Sequence, residues 1–387
     1  MQQYKLIATY GFAIFSMFFG SGNLVFPLSI GYYSVNNWLQ GFLGLLLTGV
    51  VLPFLGLFVI KLHKGNYKNF FNEAGSIAGN VIPFFTLSLL GSFGVVPRCI
   101  TVAHGGMNHI FPELSLWVFA SLFCIASFFL CLKDKIMVKI LGKWMSPILL
   151  IILVALIGFG VAKSPPLNIV TTENKAFIHG FLIGYQTMDL FAAFFFSALI
   201  FKQIQNSMPA NTSDRTILIF AVKSSIIGSG LLMIIYFGFV FLGAHYSTLL
   251  VNISPENMLP TIISHVMGGY ATVVLAVAIV LSCLTTAVSL NNIYARYISS
   301  LLALNDNKFS KVLLFTTLVS FVISLLDFRV IANFLAPALE VSYPALIALT
   351  IMSICTRKYQ KLKIYMFWFM ILGASIYGAS EFIVNHI

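Results

Sequence analysis

Apolar runs of about 20 residues or more recur from Lys5 to the end of the chain, separated by short polar connections. That is the length of helix needed to cross a hydrocarbon core about 30 Å thick. Eleven spans are predicted, centred near Met17, Leu47, Phe93, Cys124, Leu153, Ala192, Met233, Leu281, Val319, Leu346 and Leu372. No soluble domain, long linker or low-complexity tract fits between them. Lys5 followed by a long apolar stretch without a small-residue cleavage signature reads as a retained first span rather than a removable signal.

Two spans are interrupted. Gly20-Ser21-Gly22-Asn23 and then Pro27 fall within the first, and Gly180, Gly184, Tyr185, Gln186, Thr187, Met188 and Asp189 gather in the sixth. A break at membrane depth frees backbone N–H and C=O groups, and each costs several kcal/mol unless it lines a cavity or binds something. The expectation is an all-α polytopic membrane protein of about 11 transmembrane helices, with helices 1 and 6 discontinuous. Breaks five spans apart suit a 5+5 inverted repeat. Residues from about 5 to 163 and about 176 to 356 would form the two repeats, and about 362 to 385 an accessory helix, within a single transporter domain over 1–387.

Composition names the solvent and charge sets the topology. Of 387 residues 59% are hydrophobic and 9% charged, with a mean hydropathy of +0.97, against roughly 25% charged in a soluble domain. Lys61, Lys64 and Lys68 follow the second span, Lys133, Lys135, Lys139 and Lys143 the fourth, and Lys202 and Arg215 the sixth. Arg296, Lys308 and Lys311 follow the eighth, and Arg357, Lys358, Lys361 and Lys363 the tenth; the intervening loops hold only Lys163, Lys175 and Arg329. This bias puts the N-terminus in the cytoplasm, and eleven spans put the C-terminus outside. The net charge of +11 is therefore a topology signal, aided by anionic lipid, rather than a nucleic-acid footprint. Cys99, Cys124, Cys131, Cys283 and Cys355 form no C-x-x-C pair, so neither a disulfide framework nor a zinc site is expected. His104 and His109 read as interfacial. No nucleophile, phosphate loop or HExxH pattern suggests an enzyme, and no cofactor is expected.

The breaks carry the candidate chemistry. A half-helix ending near Gly20 and another starting near Asn23 would present carbonyls on one side and N–H groups on the other, with dipole ends that favour a cation and a carboxylate. A zwitterionic amino acid suits such a pair. The competing reading is a glycine hinge or close helix packing. Thr285 and Thr286, in Ser282-Cys283-Leu284-Thr285-Thr286, either satisfy themselves on carbonyls three or four residues back or contribute to an oxygen-rich cation site. Asp189 could face an amine, a cation or Arg98, while Arg98, after Pro97, could be a gate or a counter-ion. Glu340 stands between a proton-sensitive site and a gate. Lys223 would snorkel, and Phe18, Tyr185 and Phe191 could wall an apolar side-chain pocket.

Five motifs in order bring a family into view. Gly20-Ser21-Gly22-Asn23-Leu24-Val25-Phe26-Pro27 resembles the first-helix motif of the bacterial branched-chain amino acid:cation symporters, G-[AS]-G-N-[LI]-[IV]-F-P. Gly184-Tyr185-Gln186-Thr187-Met188-Asp189 resembles their sixth-helix G-Y-x-T-M-D. Pro97-Arg98, Leu284-Thr285-Thr286-Ala287 and Tyr343-Pro344 resemble third-, eighth- and tenth-helix motifs. The resemblance spans most of the chain and implies the leucine-transporter fold, a bacterial inner membrane location, and import of leucine, isoleucine and valine with sodium. It implies a substrate site of Gly20, Ser21, Gly22, Asn23, Tyr185, Thr187 and Asp189, with N–H groups around Ser21 and Gly22 on the carboxylate and the Asn23 oxygen near an ion. It also implies a sodium site of the Thr285 and Thr286 hydroxyls and the carbonyls of Ser282, Ser16 and Phe19. Another apolar amino acid such as methionine, or protons acting through Asp189 and Glu340, remains the alternative, ahead of a channel or a non-transporting receptor. Family members usually have twelve spans; with the ten-helix core present transport is expected, the departure bearing on oligomer contacts or regulation assigned to the last helix, and Glu340 is not usual at its place. Oligomeric state is not legible.

Overall fold

A computed structural model describes residues 2–132, 143, 145–167, 175–209, 211–356 and 358–386. Lys133, Lys135, Lys139 and Arg357 of the topology argument lie outside the described residues. The described residues form helices and turns without strands. In chain order the α-helices are α1 (Gln2–Phe18), α2 (Ser21–Ser34), α3 (Trp38–Leu46), α4 (Leu52–Leu62), α5 (Tyr67–Phe71), α6 (Ser76–Leu90), α7 (Val95–Asn108), α8 (Leu116–Cys131) and α9 (Ser146–Ala162). They continue with α10 (Ala176–Tyr185), α11 (Asp189–Ser207), α12 (Asp214–His245), α13 (Met258–Met267), α14 (Gly269–Leu301), α15 (Phe309–Ser324), α16 (Phe328–Cys355) and α17 (Gln360–His386). Local chemistry sets several starts: Ser115 and Ser213 accept the Val118 and Thr216 N–H groups at the heads of α8 and α12, filling donors that a helix leaves open.

Both expected breaks are present, with shifted edges. The first is only Phe19–Gly20, so Ser21, Gly22 and Asn23 form the opening turn of α2 rather than the gap. Pro27, inside α2, lacks the N–H that would bond the Asn23 carbonyl. The second break is Gln186-Thr187-Met188, where α10 and α11 bend by 44° and Met188 takes a left-handed φ of 60°. Gly180 and Gly184 lie in α10 and serve packing: a Cβ on Gly180 would stand 2.0 Å from the Gly41 carbonyl oxygen, and one on Gly184 1.9 Å from Thr48 Oγ1. The third span holds an interruption that periodicity did not reveal, because Phe93 sits in a turn over Gly91–Gly94 between α6 and α7.

Five helices of the described residues are long and apolar enough to cross a bilayer, or six with the bent pair α10–α11 counted as one span, and α8, α9 and α15 are shorter apolar helices. Two groups emerge from the packing. The halves of spans one and six pack with α3, α4 and α12, whereas α7, α8, α14 and α15 pack on one another. Ile151, Phe315 and Phe369 are more than 60% exposed on the outside, as side chains meeting lipid should be. Basic residues from different segments share cavities: Lys64, Lys202 and Arg296 line one, and Lys5 lies with Lys223 and Pro209 in another. Lys163, from an intervening loop, bonds the Val266 carbonyl instead.

Candidate functional site

The two breaks face each other at backbone distance. A Cβ on Gly22 would lie 3.2 Å from Thr187 Cα, so this position stays open only because it carries no side chain. Gly20, Ser21, Gly22, Asn23, Tyr185, Thr187 and Asp189 are all buried. Asn23 is used from both ends of its amide. Its Oδ1 accepts the Gly20 N–H at 3.3 Å, closing the head of α2, and its Nδ2 donates to Asp189 Oδ2 at 2.8 Å. Tyr236, on α12, donates its hydroxyl to the same carboxylate oxygen at 2.7 Å and also contacts the Asn23 amide. Thr187 turns its hydroxyl to the Gly184 carbonyl at 2.8 Å, anchoring the second break.

Arg98 does not pair with Asp189. The carboxylate is taken by Asn23 and Tyr236, while all three guanidinium nitrogens of Arg98 are buried without a hydrogen-bond partner. Glu340 lies in neither arrangement. It is exposed in a groove of about 930 Å³ that also touches Tyr185, Pro344 and Phe369, between α10, α16 and α17, so it forms no charge pair with Arg98.

Of the three aromatic residues expected to wall an apolar pocket, Tyr185 and Phe191 belong to one stack. Tyr343 lies between Tyr185 and Phe191, with ring centroids 4.4 Å and 4.8 Å away and planes within 30°. Phe18 meets Phe196 edge-on at 5.1 Å. Tyr185, Phe191 and Phe18 were legible as wall candidates, whereas Tyr343 stood out only as a motif residue and Tyr236 not at all. A tyrosine hydroxyl amid an apolar span was the signal for Tyr236, since such a group needs a partner.

At the first break, oxygens of five residues from α1, the break itself and α14 converge. Thr285 Oγ1 stands 3.0 Å from the Ser16 carbonyl and 2.8 Å from the Ser282 carbonyl, and Thr286 Oγ1 is 3.2 Å from the same Ser16 oxygen. Ser282 Oγ reaches the Phe19 carbonyl at 2.5 Å. Thr285 thus makes the backward bond of an ordinary helical threonine, but both threonines also cross to α1. Every one of these residues is at most 3% exposed. Neutral oxygens in a low dielectric suit a hard monovalent cation, and no cluster of three acidic, histidine or cysteine ligands occurs among the described residues.

His104 bonds the Leu114 carbonyl and His109 the Asn257 side chain. All five cysteines are free thiols.

Comparison with known proteins agrees with this architecture. The chain is 29% identical over 352 residues to the branched-chain amino acid permease BraB of Bacillus subtilis, covering 89% of this chain and 78% of that protein. A manganese transporter of Eremococcus coleocola superposes with a TM-score of 0.66 at 15% identity, over 97% of this chain and 87% of that one. Mhp1, a nucleobase-cation-symport-1 family transporter, gives 0.59 at 13% identity, over 97% and 93%. At such identities these structures establish the fold, which is that of the leucine transporter. A family model of branched-chain amino acid transport proteins matches residues 3–386, and the chain belongs to that family of membrane transporters.

Proposed function

We propose that this protein is a secondary active transporter that imports leucine, isoleucine and valine with sodium by alternating access. The observation that carries the sodium part is the meeting of Ser16, Phe19, Ser282, Thr285 and Thr286 oxygens beside the first break. Family membership supports the substrate class, as does the Bacillus subtilis relative, a branched-chain amino acid permease. The substrate would lie between the breaks, its polar end at the head of α2 and at Asp189, and its side chain against the aromatic stack.

Coupling needs only that ion and substrate bind one arrangement better than the other. The cation oxygens come from the broken first span and from α14, which belong to the two different packing groups. A bound sodium ion would tie these groups together in the outward-open arrangement, and its loss to a low-sodium cytoplasm would release them. The bundle of spans one, two, six and seven would then rock against the remainder, as two inverted repeats of about 5–163 and about 176–356 allow. The gathering of Lys64, Lys202 and Arg296 around one cavity supports a cytoplasmic N-terminus in a bacterial inner membrane, with anionic lipid around them.

Thr285→Val tests the ion assignment, because it keeps the volume and deletes one oxygen. The half-saturating sodium concentration for leucine binding should rise about tenfold with thermal stability near wild type; an unchanged value contradicts the assignment.

A further inference from the structure

A buried guanidinium with nothing to bond stands beside the first break. Arg98 is fully buried on α7, and Nε, Nη1 and Nη2 all lack a hydrogen-bond partner. Five N–H donors and a full charge withdrawn from water are costly unless something accepts them. The face of Phe26, 5.6 Å from the guanidinium carbon to the ring centroid, returns only a small part of that.

The surroundings say what is missing. The Phe26 ring also borders Gly22, where a Cβ would come within 3.3 Å of it. Cys99, the next residue on α7, places its Sγ 3.6 Å from Ser21 Oγ. These contacts set Arg98 next to the opening turn of α2, whose first N–H groups have no acceptor within the helix. The nearest acid of the site, Asp189, is already engaged by Asn23 and Tyr236. Arg98 and the open donors of α2 thus put positive charge beside the first break, while Asp189 holds a carboxylate in the first turn of α11.

We propose that Arg98 is the carboxylate-binding residue of this site: its guanidinium and the head of α2 together take the α-carboxylate of the amino acid, while Asp189 takes the ammonium group. This rests on the amino acid reading above and deepens it. Arginine suits the task because its planar fork can hold both oxygens of a carboxylate.

The test is equilibrium binding of leucine and of leucinamide, which keeps the side chain and ammonium group but carries no carboxylate, to purified wild-type protein and to the Arg98→Gln and Arg98→Lys variants. Wild type should favour leucine by about tenfold to a hundredfold, the scale of a charge-assisted hydrogen bond. Arg98→Gln should bring the preference to within about threefold by weakening leucine and sparing leucinamide, whose retained affinity shows the variant is folded. Arg98→Lys should fall between. An undiminished preference in Arg98→Gln overturns the role of Arg98 alone. Should that variant bind neither ligand, Arg98→Lys decides, and a wild-type preference there overturns the role as well. A wild type that binds neither ligand overturns the amino acid reading and this inference with it.

Discussion

Asn23 and Asp189, 166 positions apart in the chain, share a hydrogen bond of 2.8 Å that closes the two helix breaks on each other. Each residue opens the second half of a broken span, and Tyr236 of α12 completes the connection. A buried amide–carboxylate bond of this kind holds the two helix heads in one register and orients the Asp189 carboxylate.

Asn23→Ala removes that amide and leaves the carboxylate with Tyr236 alone. Losing a buried hydrogen bond to a charged group costs about 1.5–3 kcal/mol, so leucine affinity should fall about tenfold or more. Normal uptake by this variant would count against the first break as the substrate site; a filter-binding titration decides.

Gly20→Ala reaches the ion site without deleting an oxygen. Its new Cβ would lie 2.8 Å from Thr286 Cγ2 and 2.9 Å from Oγ1, so Thr286 must turn away from the Ser16 carbonyl. Sodium dependence should weaken, and adding Thr286→Ser, which deletes Cγ2, should partly restore it. A normal sodium response in the single variant, measured as sodium-dependent thermal stabilisation, would separate Thr286 from the ion.

Gly180→Ala probes the packing of α10 on α3. The added methyl would meet the Gly41 carbonyl oxygen at 2.0 Å, and overpacking of this kind costs about 1–3 kcal/mol. Gly158, with nothing within 4 Å of a built Cβ, is the control, where alanine should be neutral or mildly stabilising. Equal melting temperatures for the two variants would refute the close approach.

A pH response is expected at the end of the bundle, where Glu73 joins His63 at 3.2 Å, Lys363 at 2.8 Å and the Ser353 hydroxyl. Burial raises the Glu73 carboxyl, but the bonds from His63 and Lys363 outweigh it and hold the group below its ordinary value. Burial lowers His63, yet the bonds to Glu73 and the Val59 carbonyl raise it above its ordinary value. A depressed acid stabilises above its unfolded pKa of about 4.3 and loses that contribution as pH falls through the folded value; a raised histidine stabilises below about 6.5 and loses it as pH rises through the folded value. Melting temperature should therefore be greatest between about pH 4.5 and 6.5, and His63→Gln should flatten the alkaline decline. A decline identical to wild type would exclude His63 as its source.

The two breaks were legible because glycines clustered with polar residues inside an apolar run leave backbone groups open at membrane depth. Their edges were not, since a helix can begin at Ser21 as readily as at Asn23 once the Asn23 side chain caps it. Gly180 looked like part of a break because close packing and unwinding use the same residue. The convergence of Thr285 and Thr286 on Ser16 was readable only through the family resemblance, as nothing local to either helix states which carbonyl it will meet. The turn at Gly91–Gly94 was written as two glycines around Ser92 and Phe93, and the apolar run around them hid it. Tyr236 as a partner of Asp189 was beyond local pattern, because the contact depends on how α12 packs against both breaks.

The most direct test of the account is radiolabelled leucine uptake into proteoliposomes holding the purified protein, under an inward sodium gradient, an equal potassium gradient, or a pH gradient alone. The account predicts accumulation above equilibrium with sodium only. Accumulation driven by the pH gradient alone would contradict sodium coupling and move attention to Asp189, and no leucine uptake under any gradient would contradict the substrate assignment.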